Sequence, residues 1–222
     1  MESSIFTAAE PLPRGPHRLS REDVAASQRA RLLAAFTDLL GERGYAAVTI
    51  AELARRAGVS RGAFYEHFAD KQACLLAAYD HFATILLEAM TATVDEGTPW
   101  GAFVDDTLAG YLGTLERNPT AARAFIVEMD AAGAEARRRR HKAMAGFAAV
   151  LADRHRAIRS RNPDLGPLPD RVYLGLVLGI RELVRERLES EPAPALRELA
   201  PDIRLWVTAT IEGAAAAQAA PG

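Results

Sequence analysis

The side chains with the most chemistry to offer crowd into one stretch. Thr49, Ser60, Arg61, Tyr65, His67 and Lys71 supply two hydroxyls, a guanidinium, a phenol, an imidazole and an ammonium between positions 49 and 71. Each can donate a hydrogen bond, and none stands in a nucleophile-base pair or at metal-ligand spacing. Such a set suits recognition of an acceptor-rich, anionic surface rather than the making or breaking of bonds. Elsewhere the sequence holds no metal-ligand spacing, glycine-rich phosphate loop or nucleophile elbow. An enzyme therefore has no catalytic constellation to stand on, and no cofactor is expected.

The elements that must position these groups are helices. Residues 49–68, TIAELARRAGVSRGAFYEHF, read as helix, tight glycine turn, helix, the pattern of a helix-turn-helix; the plain alternative is a helical hairpin inside a bundle. Thr49 with Glu52 forms a capping box before Ile50, Leu53, Ala54 and Ala57, and Gly58 falls where a left-handed residue closes a helix. Ser60 caps the next helix. There Phe64 and Phe68 fix a buried direction, Gly62, Ala63 and Glu66 lie opposite, and Tyr65 and His67 flank the buried side at about 80° to either hand. A DNA major groove about 12 Å wide admits a helix whose base-facing side is small, as Gly62 and Ala63 make it. Tyr65 and His67 would then meet the two phosphate walls, and Arg61 in the first turn could pair bidentately with guanine. Lys71 and the free amides of the helix it opens, and Thr49 with those of its own helix, add phosphate sites. Glu66 either accepts from a cytosine amino group or points to solvent.

Ser20 and Asp23 make a capping box for a first helix over about 21–43, stopped at Gly44, and Asp70 caps a fourth running to about 93. Breaks at 97–99, 118–119, 133, 162–169 and 191–194 leave helical stretches at about 100–117, 119–131, 134–159, 170–190 and 195–215. No alternating strand and no repeat appear, so the expected fold is all-α, with a boundary near residue 70. The composition of the 222 residues, 49% hydrophobic and 25% charged, excludes disorder. A single cysteine, Cys74, excludes an internal disulfide and fits a reducing compartment. The N-terminus does not read as a signal peptide, and the strongly apolar run at 172–180 is nine residues where a bilayer needs about 20. A cytoplasmic protein with no membrane partner is expected. Net charge is −2, with 10 basic and 9 acidic side chains in residues 1–75 and 17 and 20 in the rest. DNA affinity must then come from a few placed contacts and helix N-termini rather than bulk charge.

Gly44 with Tyr45 after an amphipathic helix, Thr49 with Ile50, Leu53 with Ala54, the run Ala57, Gly58, Val59 and Ser60, Phe64 with Tyr65, His67 with Phe68, and Lys71 together resemble the TetR family of bacterial transcriptional regulators. The resemblance spans the first helix to Leu75. Ala63 departs from the threonine or serine the family often carries there, so the number of contacts per half-site is not carried over. The resemblance implies a homodimeric regulator, usually a repressor, with a three-helix N-terminal helix-turn-helix DNA-binding domain plus a larger helical C-terminal effector-binding and dimerisation domain. Set on this sequence, these are the DNA-binding module at 20–70 and the body at 71–215, between a flexible arm at 1–19 and a flexible tail at 216–222. It would bind double-stranded, palindromic operator DNA and answer to a small, largely apolar effector that displaces the helix at 71–93. The alternatives are an activator of the same family and a helical ligand-binding protein with a vestigial module.

Within that body, Leu176, Ile180, Leu183, Val184 and Leu188, with Gly175 and Gly179 allowing close approach, form one apolar stripe. Leu199, Ile203, Trp206, Val207 and Ile211 form another; the two are either a dimer face or internal core. Phe82, Trp100, Phe103, Tyr111, Phe125, Met129, Met144 and Phe147 could line an apolar effector pocket or be plain core. His81, Asp105, Asp106, Glu128 and His141 are its candidate polar anchors, with surface placement the alternative. Arg14, Arg18 and Arg21 read as a minor-groove arm or a disordered tail. The basic run 137–142 reads as a solvated helix face pairing with Glu135, or as a second DNA site. Cys74 is either an oxidant-sensing or a buried thiol.

Overall fold

Ser20 starts the first helix by satisfying its free amides. In this computed structural model its hydroxyl accepts from the Asp23 amide at 3.0 Å, and the Asp23 carboxylate accepts from the Ser20 amide at 3.0 Å, the reciprocal pairing of a capping box. The structure describes residues 20–93, 95, 97–162, 165–191 and 194–219, of which 212 and 214–219 by helical backbone alone. Arg14 and Arg18, with the arm expected at 1–19, lie outside them. Among the described residues there is no strand, and the α-helices are α1 (Arg21–Ala47), α2 (Ile50–Arg56), α3 (Arg61–His67), α4 (Lys71–Thr91), α5 (Trp100–Arg117), α6 (Pro119–Ala122), α7 (Ala134–Arg159), α8 (Asp170–Ser190) and α9 (Ala200–Ala219).

Two stretches differ from the sequence expectation. The segment at 119–131 is α-helical only over α6. It then widens into a π turn at Arg123–Val127 and tightens into a 3-10 turn at Glu128–Ala132. These irregular turns belong to a segment that lies directly on α1: the Thr120 carbonyl oxygen is 2.5 Å from where a side chain on Gly41 would begin, and the Glu128 carboxylate 2.8 Å from the same point at Gly44. The second difference is at the C-terminus, where a 3-10 turn at Leu196–Leu199 precedes α9 and the helix continues to Ala219. Residues 216–219, expected in the tail, are thus helical.

The helices gather into two compact units, the first made of the described residues to Thr84 with Arg117–Arg139, the second of Ile85–Glu116 with those from Arg140 onward. In the first unit Leu32, Leu33, Phe36, Leu39 and Leu40 of α1 are buried together with Leu53, Phe64, Phe68, Cys74 and Leu75. Tyr79, Phe82 and Phe125 stack nearby, with Phe82 and Phe125 ring centroids 4.8 Å apart. By length and composition alone α4 could cross a membrane; here its Cys74, Leu75, Ala78, Tyr79 and Phe82 are core residues. In the second unit the core is built from Phe103, Leu108 and Leu112 of α5, Met144 and Phe147 of α7, Tyr173, Val184 and Leu188 of α8, and Ile203, Val207 and Ile211 of α9.

Gly44 interrupts α1 as expected: φ 74° and ψ 162° break the helical run, in a region essentially reserved for glycine. Gly44→Ala is expected to cost about 1–3 kcal/mol of unfolding free energy from backbone strain, read by chemical denaturation. Glu128→Ala in that background should restore little of it, because a carboxylate at the end of a flexible side chain can move aside. Full rescue by Glu128→Ala would show that the clash, and not the backbone, sets the cost.

Candidate nucleic-acid interface

A seven-residue helix has too few internal hydrogen bonds to stand alone, so α3 is held by its ends and its buried side. Ser60 caps it, its hydroxyl accepting from the Ala63 amide at 3.0 Å. Phe64 is fully buried and Phe68 nearly so, their ring centroids 5.8 Å apart, and the Arg29 guanidinium lies 4.8 Å from the Phe68 centroid. The opposite side is open. Arg61, Gly62 and Glu66 are exposed, Ala63 is half-buried, and Tyr65 is 48% exposed. A side chain added at Gly62 would have only the Ser60 hydroxyl as a neighbour, at 3.7 Å. Arg61, Gly62, Ala63 and Tyr65 therefore form one accessible surface with a small centre.

The preceding helix is set by the turn before α3. Gly58, at φ 64°, ends α2 in the left-handed region, where glycine is free of strain. The carbonyls of Ala57 and Gly58 accept from the Arg31 guanidinium at 2.9 and 3.2 Å. Thr49 caps α2, its hydroxyl accepting from the Glu52 amide at 3.2 Å. Only this half of the expected capping box is formed. The Glu52 carboxylate instead pairs with Arg43 at 2.5 Å, and Arg56 pairs with Glu42 at 2.7 Å.

Two residues expected to face phosphate are turned inward. His67 is half-buried, its Nε2 3.1 Å from Oε1 of Gln28 on α1. Burial, and then the Arg29 charge, hold its imidazole below the usual histidine range, so the ring is neutral near pH 7. The symmetric flanking of α3 by Tyr65 and His67 is thus broken: Tyr65 projects and His67 ties α3 to α1. Lys71 donates to the carbonyls of Tyr45 and Val48, both at 2.9 Å, and its ammonium sits 4.1 Å from the Tyr45 ring centroid. Two of its three protons are so engaged, closing the turn between α1 and α2. Gln28 and Arg31 carry no sequence signal for these roles, and Tyr45 stands out in sequence only as part of the family pattern, because their partners lie 39, 26 and 26 residues away. Arg55, with its side chain 77% exposed, is a further cation on α2, outside the set expected from the sequence.

The other candidates sort by burial. His81 is exposed, so it does not line an interior pocket. Phe125 and Met129 are buried in the first unit, whereas Trp100, Phe103, Tyr111, Met144 and Phe147 are buried in the second. Tyr111 is pushed up to about 12 by burial. Asp105 is exposed and pairs with Arg204 at 3.0 Å, while Asp106 and Glu128 are half-buried and His141 is exposed. Of the two apolar stripes, Leu176, Val184, Ile203 and Val207 are core of the second unit, which corrects their expected place on a dimer face. Ile180 is half-buried, and Leu183 and Trp206 are each 39% exposed. The Trp206 ring covers Gly179, coming within 2.4 Å of where a side chain would start. The first half of the basic run is paired within the first unit: Arg137 with the Asp130 carbonyl, Arg138 with Glu135, and Arg139 with Asp80 at 2.6 Å. Cys74 is fully buried, and burial raises its thiol far above the reactive range.

Residues 32–78 match the family described as bacterial regulatory proteins, tetR family. Among solved structures, the transcriptional regulator FadR from Bacillus subtilis in complex with stearoyl-CoA superposes with a TM-score of 0.72 at 17% identity, covering 82% of this chain and 97% of that one. The fatty acid degradation regulator FadR from Bacillus halodurans gives 0.71 at 15% identity, covering 81% and 94%. A TetR-like transcriptional regulator from Rhodococcus sp. RHA1 gives 0.63 at 17% identity, covering 88% and 100%. These likenesses establish a shared fold, and the matched stretch contains every residue of the α2–turn–α3 surface. It is the stretch 32–78, with the α2–turn–α3 surface inside it, that is similar to bacterial regulatory proteins of the tetR family.

Proposed function

We propose that the protein is a cytoplasmic, ligand-responsive repressor that binds a palindromic operator as a homodimer and is released by a small, largely apolar effector. The observation that carries this reading is the open face of α3, where Arg61, Gly62, Ala63 and Tyr65 are accessible while Phe64 and Phe68 anchor the helix. Arg61 reads a base edge and Tyr65 meets a phosphate. Thr49 and Ser60 lend further phosphate contacts, since each hydroxyl accepts from a helix amide and keeps its own proton to donate. His67 and Lys71 act as positioning residues. One short helix per subunit reads little sequence, so two copies must meet half-sites roughly 34–36 Å apart. Leu183 and Trp206, exposed on α8 and α9, are the apolar groups that a second copy would cover.

The effector lies among the buried aromatic and methionine side chains of the second unit, Trp100, Phe103, Tyr111, Met144 and Phe147. Stearoyl-CoA in the Bacillus subtilis relative makes compounds with a long acyl chain, free acids as well as thioesters, the first to try. Binding shifts α4, which runs from the module into the body, and so changes the separation of the two α3 helices. By reciprocity operator DNA must weaken effector binding by the same factor, typically about 5- to 150-fold.

Gel-shift titration against DNA flanking the gene tests the recognition surface. Arg61→Ala should lose about 1–3 kcal/mol per half-site, and Tyr65→Ala a smaller amount. Specific affinity within about twofold of the parent for both variants would sink the assignment, and an absence of salt-dependent binding in the parent would leave a ligand-binding protein with a vestigial module. Lys71→Met separates positioning from phosphate contact. It should lower the melting temperature yet leave the slope of log affinity against log salt unchanged, where loss of a phosphate ligand flattens the slope by about one unit per subunit. For the dimer, Leu183→Glu should give monomers in sedimentation equilibrium with little change in thermal stability; a dimer that persists would place the interface elsewhere.

A further inference from the structure

A group of buried hydrogen-bond donors in the second unit has no acceptor among the described residues. His155 of α7 is fully buried, and its Nδ1 lies 2.6 Å from the Tyr173 hydroxyl of α8. Burial raises Tyr173 and keeps its phenol protonated. Burial, followed by the charges of Arg159 and Arg156, lowers His155 and keeps its imidazole neutral. Nδ1 is the acceptor at hand for the phenol proton, which places the imidazole proton on Nε2. That Nε2 is buried without a partner. So is Nε1 of Trp100, whose indole meets the His155 ring edge to face with centroids 5.1 Å apart. The indole nitrogen can only donate.

A third orphan donor adjoins the pair. Arg154 donates to the Thr98 carbonyl at 2.7 Å and lies 5.6 Å from the centroid of Phe103, which stacks on Trp100 at 5.5 Å; its Nε is also buried and unpartnered. All three orphans are N–H groups, and one carries positive charge. A donor left unmet in the interior costs about 1–3 kcal/mol, so three in one cluster amount to a standing demand for an acceptor. The neighbouring walls are aliphatic: Leu151, Leu168, Leu174 and Val177 pack against Tyr173, Ala148 and Ala152 and are only partly buried.

We propose that this cluster is a binding site for an aliphatic monocarboxylate, whose oxygens accept from His155 Nε2 and Trp100 Nε1 beside the Arg154 guanidinium and whose chain lies along Leu151, Leu168, Leu174 and Val177. The site names the acid end of the effector that the proposed function calls only apolar, and it rests on that reading for its regulatory consequence alone; binding of the acid stands without it. The tautomer fixed by Tyr173 makes His155 a donor rather than a base, so the site holds the acid and does no chemistry on it.

The test uses the full-length protein without DNA, with dodecanoate as probe and dodecanol as the comparison that keeps the chain and lacks the carboxylate. Calorimetric titration should show saturable dodecanoate binding at least about tenfold tighter than dodecanol. In the Trp206→Phe background, where Trp100 is the sole tryptophan, dodecanoate should shift its emission. Trp100→Phe and His155→Phe should each weaken dodecanoate by about tenfold or more and leave dodecanol within twofold. Tyr173→Phe, which frees the imidazole to take the other tautomer, should weaken dodecanoate less than His155→Phe does. Equal affinity for the two probes, dodecanoate binding unchanged by both Trp100→Phe and His155→Phe, or no saturable binding at all overturns the proposal and leaves an ordered water as the acceptor. Because no DNA is present, a failed operator assay does not bear on the outcome.

Discussion

The burial of Phe64 and Phe68 is the constraint on which the recognition surface depends. Seven residues of helix cannot hold themselves in water, and the Ser60 cap supplies only part of what is missing. Two phenylalanines on one side of α3, both within the first unit's core, set the rotation of the helix about its axis. Once that rotation is set, the accessible side must be Arg61, Gly62, Ala63 and Tyr65. Changing the anchor would alter what is presented without altering any residue proposed to touch DNA. The functional surface is in this sense a by-product of packing, and its small centre is meaningful only because the opposite side is pinned.

The cations of the module divide between building and binding. Arg31 holds the end of α2, Lys71 closes the α1–α2 turn, Arg29 covers Phe68, and Arg43 and Arg56 are paired with acids. A domain with 10 basic and 9 acidic side chains over residues 1–75 thereby spends much of its positive charge on its own carbonyls, rings and carboxylates. Arg55 and Arg61 remain exposed. Electrostatic attraction to a polyanion scales with the phosphates neutralised, so a near-neutral module that also engages its cations internally would, in the proposed homodimer, rely on geometry and on two-fold repetition. Weak binding to random DNA is expected on the proposed function, since among the module's described residues few cations are left unengaged to hold a backbone without a matching sequence.

What could be read from sequence was local. The Ser20, Thr49 and Ser60 caps and the Gly44 and Gly58 breaks act within four residues of themselves, and the structure places each of them as expected. Partners distant in the chain were not legible. His67 was expected at a phosphate because helical geometry puts it beside Tyr65, but Gln28, 39 residues earlier, takes its ring. Lys71 was expected at a phosphate for the same kind of reason, and it satisfies carbonyls 26 and 23 residues back. The α8 and α9 stripes failed differently. Periodicity shows that a helix has an apolar face, yet it does not say whether the chain itself or a second copy covers that face. Leu176, Val184, Ile203 and Val207 were covered from within. The π and 3-10 turns at 123–132 had no sequence signal beyond Gly41 and Gly44, whose lack of side chains lets Thr120 and Glu128 approach α1 so closely.

The position of Lys71 gives the proposed response to an effector a physical form. It is the first residue of α4 and is bonded to the carbonyls of Tyr45 and Val48, immediately before α2 begins. Any displacement of α4 along its axis must therefore either break those two bonds or carry the α1–α2 turn with it. Breaking them leaves two carbonyls and an ammonium to be solvated afresh, and each bond to a charged donor is worth about 1.5–3 kcal/mol. The coupling energy of an ordinary allosteric ligand is about 1–3 kcal/mol, no larger than one or two such bonds. A ligand with that much to give cannot tear the turn loose for nothing in return, so moving the turn with α4 is the less costly course. The turn leads directly into α2 and α3 with their anchored phenylalanines, and a rigid module would follow it. On the proposed function, the bond pair at the head of α4 favours transmission by rigid displacement over local melting, and the same residue that phosphate was expected to claim would be the joint through which operator and effector exclude each other.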